Sequence, residues 1–172
     1  MIIRKTVAKS VLHPHAPADV SNPAEKPLQL LRAHHLALKA DSSAAGSSQW
    51  FVKQVGSAWN LPQERADIGA LLASELVTNA VEATAVTKPQ WPDIPTHADL
   101  PLIRIRLLEL EESFVIQVWD TSSQPPRPLV PSADSERERG LQLVDALSVR
   151  WGYHDSPTGE KVVWCEISRD DI

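Results

Sequence analysis

Glu75 and Asn79 stand four residues apart in Leu72-Ala73-Ser74-Glu75-Leu76-Val77-Thr78-Asn79-Ala80-Val81-Glu82-Ala83. On a helix, that spacing sets a carboxylate and a carboxamide one turn apart on the same side. Ser74, Glu75, Thr78, Asn79 and Glu82 share one arc, and Leu72, Ala73, Leu76, Val77, Ala80 and Val81 share the other. An amphipathic helix with its polar face in water satisfies that pattern. The charge distribution narrows it. No Lys, Arg or His occurs between Arg65 and Lys88, whereas exposed helix faces usually mix both signs. Glu75, Asn79 and Glu82 together suit one of two chemistries. Their oxygens can hold a hard divalent cation, or the carboxylate can take a proton from an attacking group.

The elements that must position these residues follow from periodicity. The helix carrying them reads from Pro62, well placed in a first turn, to about Ala85. An earlier helix reads from Ser43 to Trp59, with Trp50, Phe51, Val55 and Trp59 at helical spacings and its aromatic positions expected in the core. Asn60-Leu61-Pro62 breaks the two apart. A strand is expected near 34–40. On it His34 and His35 face opposite ways, which argues against a shared metal site. Ile103–Leu107 and Phe114–Trp119 alternate cleanly around Glu111-Glu112-Ser113, the pattern of a hairpin, with Arg104 and Arg106 on a solvated face. Asp120 ends the second of these strands, where a carboxylate either accepts from a ligand amine or forms a turn. A short helix is expected near Gly140, with Leu141, Val144 and Leu147 on its apolar side. A glycine at a helix start leaves backbone amides open to an anion, and Arg139 adds a cation. Ser148–Tyr153 and Lys161–Ile167 read as a second hairpin, with Val163, Cys165 and Ile167 inward and Cys165 a small core hydrophobe. Between the two halves, Ala85 to Pro101 carries Pro89, Pro92, Pro95 and Pro101 around Trp91, a long irregular connection that is either solvated or part of a site wall.

Composition bounds the function. The chain has 172 residues and a formal net charge of −5, which argues against nucleic acid as a partner. No apolar run is long enough to span a bilayer, and the first residues lack a secretory apolar core. Cys165 is the one cysteine, so neither an internal disulfide framework nor a multi-cysteine metal site is available. A cytoplasmic location is expected. Residues 1–27, with Pro14, Pro17, Pro23 and Pro27, read as a disordered tail, and 28–172 as a single domain. The order strand, helix, helix, hairpin, helix, hairpin predicts an α+β two-layer sandwich: a mostly antiparallel mixed sheet with helices on one face.

Glu75-Leu76-Val77-Thr78-Asn79-Ala80 resembles the Glu-x-x-x-Asn box of the GHKL ATPases, the gyrase, heat-shock chaperone, histidine kinase and mismatch-repair types. The likeness is greatest to bacterial anti-sigma-factor serine/threonine kinases and related ATP-binding regulators of actinomycetes. Four further stretches carry it: Asp120-Thr121-Ser122; Arg139-Gly140-Leu141-Gln142-Leu143-Val144; Val149–Gly152; and Gly159–Trp164. The second resembles the family's Gly-x-Gly-Leu lid, with Glu138 in place of the first glycine. The resemblance covers about 34–168. It implies the GHKL fold, with ATP and Mg²⁺ as cofactors. Asn79 would hold the metal under the phosphates, and Glu75 would be the general base. Asp120 would take the exocyclic amine of adenine, and Arg139, Gly140 and Leu141 would close on the phosphates. The implied function is an ATP-binding regulator with kinase activity towards an antagonist protein. Its implied partners are a sigma factor, an anti-anti-sigma antagonist or both, and the resemblance extends to homodimer formation. Glu138 and the glycine-free run after Asp120 support an alternative, a non-catalytic protein-binding regulator of the same fold.

Overall fold

In the computed structural model, residues 29–86, 101–120 and 136–170 are described. The expectations for the tail, for the connection around Trp91 and for the run after Asp120 lie outside them. The elements in chain order are β1 (Arg32–Lys39), α1 (Ala44–Ala58), α2 (Gln63–Val86), β2 (Leu102–Glu109), β3 (Ser113–Asp120), α3 (Glu136–Leu147), β4 (Arg150–Asp155) and β5 (Lys161–Ser168). The strands form one sheet in the order β1-β2-β3-β5-β4, and all four pairings are antiparallel. This is the α+β architecture expected, with the sheet antiparallel throughout the described residues.

Alternation decides which face is covered. Leu38, Ile103, Ile105, Leu107, Phe114, Ile116, Val118, Val163, Cys165 and Ile167 point one way and join one core with the inner sides of the helices. Phe51, Val52, Val55 and Trp59 enter that core from α1, and Leu72, Ala73, Leu76, Val77 and Ala80 enter it from α2. Val163, Cys165 and Ile167 are thus inward as expected, and burial pushes the Cys165 thiol up to about 12, which keeps it a neutral hydrophobe. Trp50 departs from the core expectation for α1. It is 64% exposed, because Phe51, Val55 and Trp59 at intervals of four already define the inner stripe and Trp50 sits one residue off it.

The turn between α1 and α2 explains how two helices of this chain pack side by side. Asn60 adopts a positive φ of 54°. The Leu61 amide donates to the Gly56 carbonyl at 2.9 Å, and the Asn60 amide donates to Ser57 at 3.1 Å. These two bonds are the Schellman pattern that satisfies orphan carbonyls at a helix end. Gly56 permits the close approach that follows, since a Cβ there would stand 3.2 Å from the Ala66 Cβ.

At the same end of α1 a buried carboxylate fastens several elements. Glu109 on β2 is 2% exposed and bonds Arg32 of β1 and Arg169 beyond β5. Arg169 also donates to the Trp59 carbonyl at 3.0 Å, and Arg32 donates to the Ala58 carbonyl at 3.3 Å. Two cations thereby meet the C-terminal carbonyls of α1, where the helix dipole favours positive charge.

The opposite face of the sheet is more polar. Arg106 donates to Gln117 at 2.9 Å and lies 5.0 Å from the centre of the Trp119 ring, and Arg104 lies 5.7 Å from the same ring while pairing with Glu160. Arg104 is exposed as expected, and both arginines also stack on an aromatic neighbour. His34 and His35 point to opposite faces as expected; His34 tilts against Trp59 with ring centres 5.7 Å apart.

Candidate functional site

α2 is buried along Leu72, Ala73, Leu76, Val77 and Ala80, so its polar arc is forced to the far side. The arc is not uniform. Ser74 is 7% exposed and turns back to donate to the Leu71 carbonyl at 2.8 Å, which removes it from any ligand-facing role. Thr78 is exposed, whereas Glu75, Asn79 and Glu82 are half-buried.

The side chains of Glu75 and Asn79 make no hydrogen bond or ion pair with another described residue. Burial raises the Glu75 carboxyl above its ordinary range, with no compensating donor. A half-buried carboxylate and amide side by side, with no protein partner among the described residues, are open to a ligand. Among the described residues no three His, Cys, Asp or Glu side chains gather into a metal cluster. An ion here would take few protein oxygens and complete its shell with water and phosphate, which is the habit of Mg²⁺. The donor set around Asn79 therefore fits that ion.

α3 closes against the same place. Its helical conformation begins at Glu136, because Glu136-Arg137-Glu138-Arg139 is a strong helix-forming run. Gly140 thus lies a full turn inside the helix and not at its start, which corrects the expectation that its amide is an open anion donor. Its absence of a side chain serves another purpose. A Cβ at 140 would collide with the Glu75 carboxylate, so Gly140 is what lets α3 lie on the catalytic candidate. Leu141 is 8% exposed and Val144 fully buried, so the two anchor the helix. The side chains of Glu138 and Arg139 are outside the described residues.

Asp120 sits at the end of β3, the strand on which α2 packs, on the helix-facing side. It is 2% exposed and its Oδ2 lies 3.2 Å from the Lys161 Nζ of β5. The sequence reading passed over Lys161. The signal was there in parity, since Lys161 shares the inward side with Val163, Cys165 and Ile167, and a lysine on a buried face needs a partner. The structure thus brings Glu75, Asn79 and Gly140 together, and places Asp120 with Lys161 at the end of the sheet beneath α2.

Comparison with known proteins agrees with this geometry. The family model of the histidine kinase-like ATPase domain matches residues 38–165. Among solved structures, the RsbU and RsbW domains of Rv1364c from Mycobacterium tuberculosis are similar in fold, with a TM-score of 0.55 at 16% sequence identity. The match covers 81% of this chain and 34% of that one, so this chain spans about a third of that protein's length. No curated protein matches the sequence.

Proposed function

Because the chain belongs to the histidine kinase-like ATPase domain family, we propose that it is a regulatory protein that binds ATP with Mg²⁺ and passes the terminal phosphoryl group to a serine or threonine of an antagonist protein. The observation that carries this reading is the Glu75 and Asn79 pair on α2. Glu75 and Asn79 lie side by side and half-buried, their side chains without a partner among the described residues, with Gly140 of α3 against the carboxylate.

In this role Asn79 presents its amide oxygen to the metal. Bound Mg²⁺ would supply charge neutralisation at the phosphates. Glu75 accepts the proton of the attacking hydroxyl. Its raised pKa makes it a stronger base than an exposed glutamate. Asp120 accepts the exocyclic amine of adenine, and α3 with Arg139, Gly140 and Leu141 covers the phosphates. A sigma factor and its anti-anti-sigma antagonist are the partners this reading implies, acting in the cytoplasm with the chain as a homodimer. Among the described residues no helix is long and apolar enough to cross a membrane.

The test combines calorimetric titration with Mg-ATP and transfer of labelled γ-phosphate to a protein captured on the ATP-loaded chain. Asn79→Ala is expected to weaken Mg-ATP binding at least tenfold, whereas Glu75→Ala should retain binding and lose transfer. Transfer unchanged in Glu75→Ala would refute the assigned base. Glu138, in place of a lid glycine, favours a second reading in which the same fold binds its partner without catalysis. Saturable Mg-ATP binding with no transfer by the wild type would select that reading.

A further inference from the structure

Lys161 opens β5, with Asp120 opposite it on β3 and Asp155 opposite it on β4. The three charged positions form one row across the end of the sheet, on the side that faces the helices. Every other position of that side in β3 and β5 is apolar and belongs to the core. The Lys161 and Asp120 side chains are 6% and 2% exposed, and their charged atoms are 3.2 Å apart. Stability alone gives little reason for such a pair, because two buried ions lose solvation that their attraction barely returns, and apolar residues of similar volume commonly do better.

Recognition gives a reason. A lone aspartate offers only acceptors, whereas Asp120 with Lys161 offers an acceptor and a donor side by side. An ammonium carries three donors and can serve more than one acceptor at once. An adjacent acceptor and donor complement the edge of adenine, where the exocyclic amine donates and the neighbouring ring nitrogen N1 accepts. Guanine and hypoxanthine present the opposite polarity at both atoms, an oxygen acceptor and an N1–H donor.

We propose that Lys161 is a base-reading residue that donates to adenine N1 while Asp120 accepts the exocyclic amine. Lys161 also neutralises Asp120 when no nucleotide is present, so the pair is preorganised and its buried charge is compensated in both states. The inference rests on the nucleotide reading given above and extends it by one specific contact.

The probe is 1-deaza-ATP, in which a C–H replaces N1 and the exocyclic amine is kept. Calorimetry compares its affinity with that of ATP, each with Mg²⁺, in the wild type and in Lys161→Met. The wild type is expected to bind the analogue about tenfold more weakly than ATP, as loss of a charged hydrogen bond requires. In Lys161→Met the two nucleotides should bind alike, which a purely structural role for Lys161 would not produce. ATP binding that is indifferent to N1 in the wild type, or a wild-type preference retained in Lys161→Met, overturns the proposal and leaves the nucleotide reading standing. A wild type that binds no ATP overturns both. Should Lys161→Met fail to fold with Asp120 left unpaired, Lys161→Met combined with Asp120→Asn, which leaves no buried charge unpaired, takes its place in the same comparison.

Discussion

Glu75 shows how one side chain can carry opposing demands. Its carboxyl is held above the ordinary glutamate range by burial, with no described donor to offset that cost. For an acid whose folded pKa is raised, the native state holds more protons than the unfolded chain between the unfolded and folded pKa values. Stability therefore falls as pH rises through that window and stays lower above it. Glu75→Gln removes the ionised form, so it should raise the melting temperature at neutral pH. The same change removes the proposed base and should slow phosphoryl transfer about 10²- to 10⁴-fold. Thermal melts and labelled transfer, measured on one preparation, check both signs. The wild-type rate should fall on the acid side at a pH above the usual glutamate value, as the raised pKa requires.

At the scale of elements, α3 is positioned by what Gly140 lacks. A glycine inside a helix costs up to about 1 kcal/mol relative to alanine. Gly140→Ala should therefore leave stability unchanged or slightly raised, because the colliding atom is the end of a flexible Glu75 side chain that can swing aside. Transfer should fall at least tenfold while Mg-ATP binding persists, since the carboxylate is displaced and Asn79 is not. A melt that drops by more than about 1 kcal/mol equivalent would contradict that account. The elements themselves were largely legible. The apolar stripe of α2 and the alternation of β2, β3 and β5 fixed type and facing, because period and burial agree there. The site was legible on α2, where Glu75 and Asn79 share a helix face through local geometry. It was less so elsewhere. Gly140 read as a helix start because glycine punctuates sequence, yet the Glu-Arg run before it extends the helix. Lys161 was passed over because its partner lies forty-one positions earlier, on a neighbouring strand. Trp50 and Phe51 show a related limit: both fit a helical stripe within one residue, and only packing against the sheet selects Phe51.

For the whole molecule, Glu109 joins parts distant in sequence. Through Arg32 it holds the first strand. Arg169 links it to the end of the described chain, and both arginines reach the carbonyls that close α1. Arg32 first, and Arg169 after it, lower the Glu109 carboxyl against the opposing cost of burial. A depressed folded pKa gives stability that is complete above the unfolded glutamate value, near 4.3. That stability is lost as pH falls through the lower folded value, where the unfolded chain has already taken up its proton. Glu109→Gln keeps the shape and removes the charge, leaving Arg32 and Arg169 with a weaker acceptor. At neutral pH it should cost about 2 kcal/mol, a fall of about 6 °C in Tm for a chain of this length. Below the folded pKa, wild-type Glu109 is itself neutral, so the difference between the two proteins should shrink towards zero. A series of melts from neutral to acid pH follows that convergence. A constant difference at every pH would mean that Glu109 acts by packing alone, and that the union of β1, α1 and the chain end does not depend on its charge.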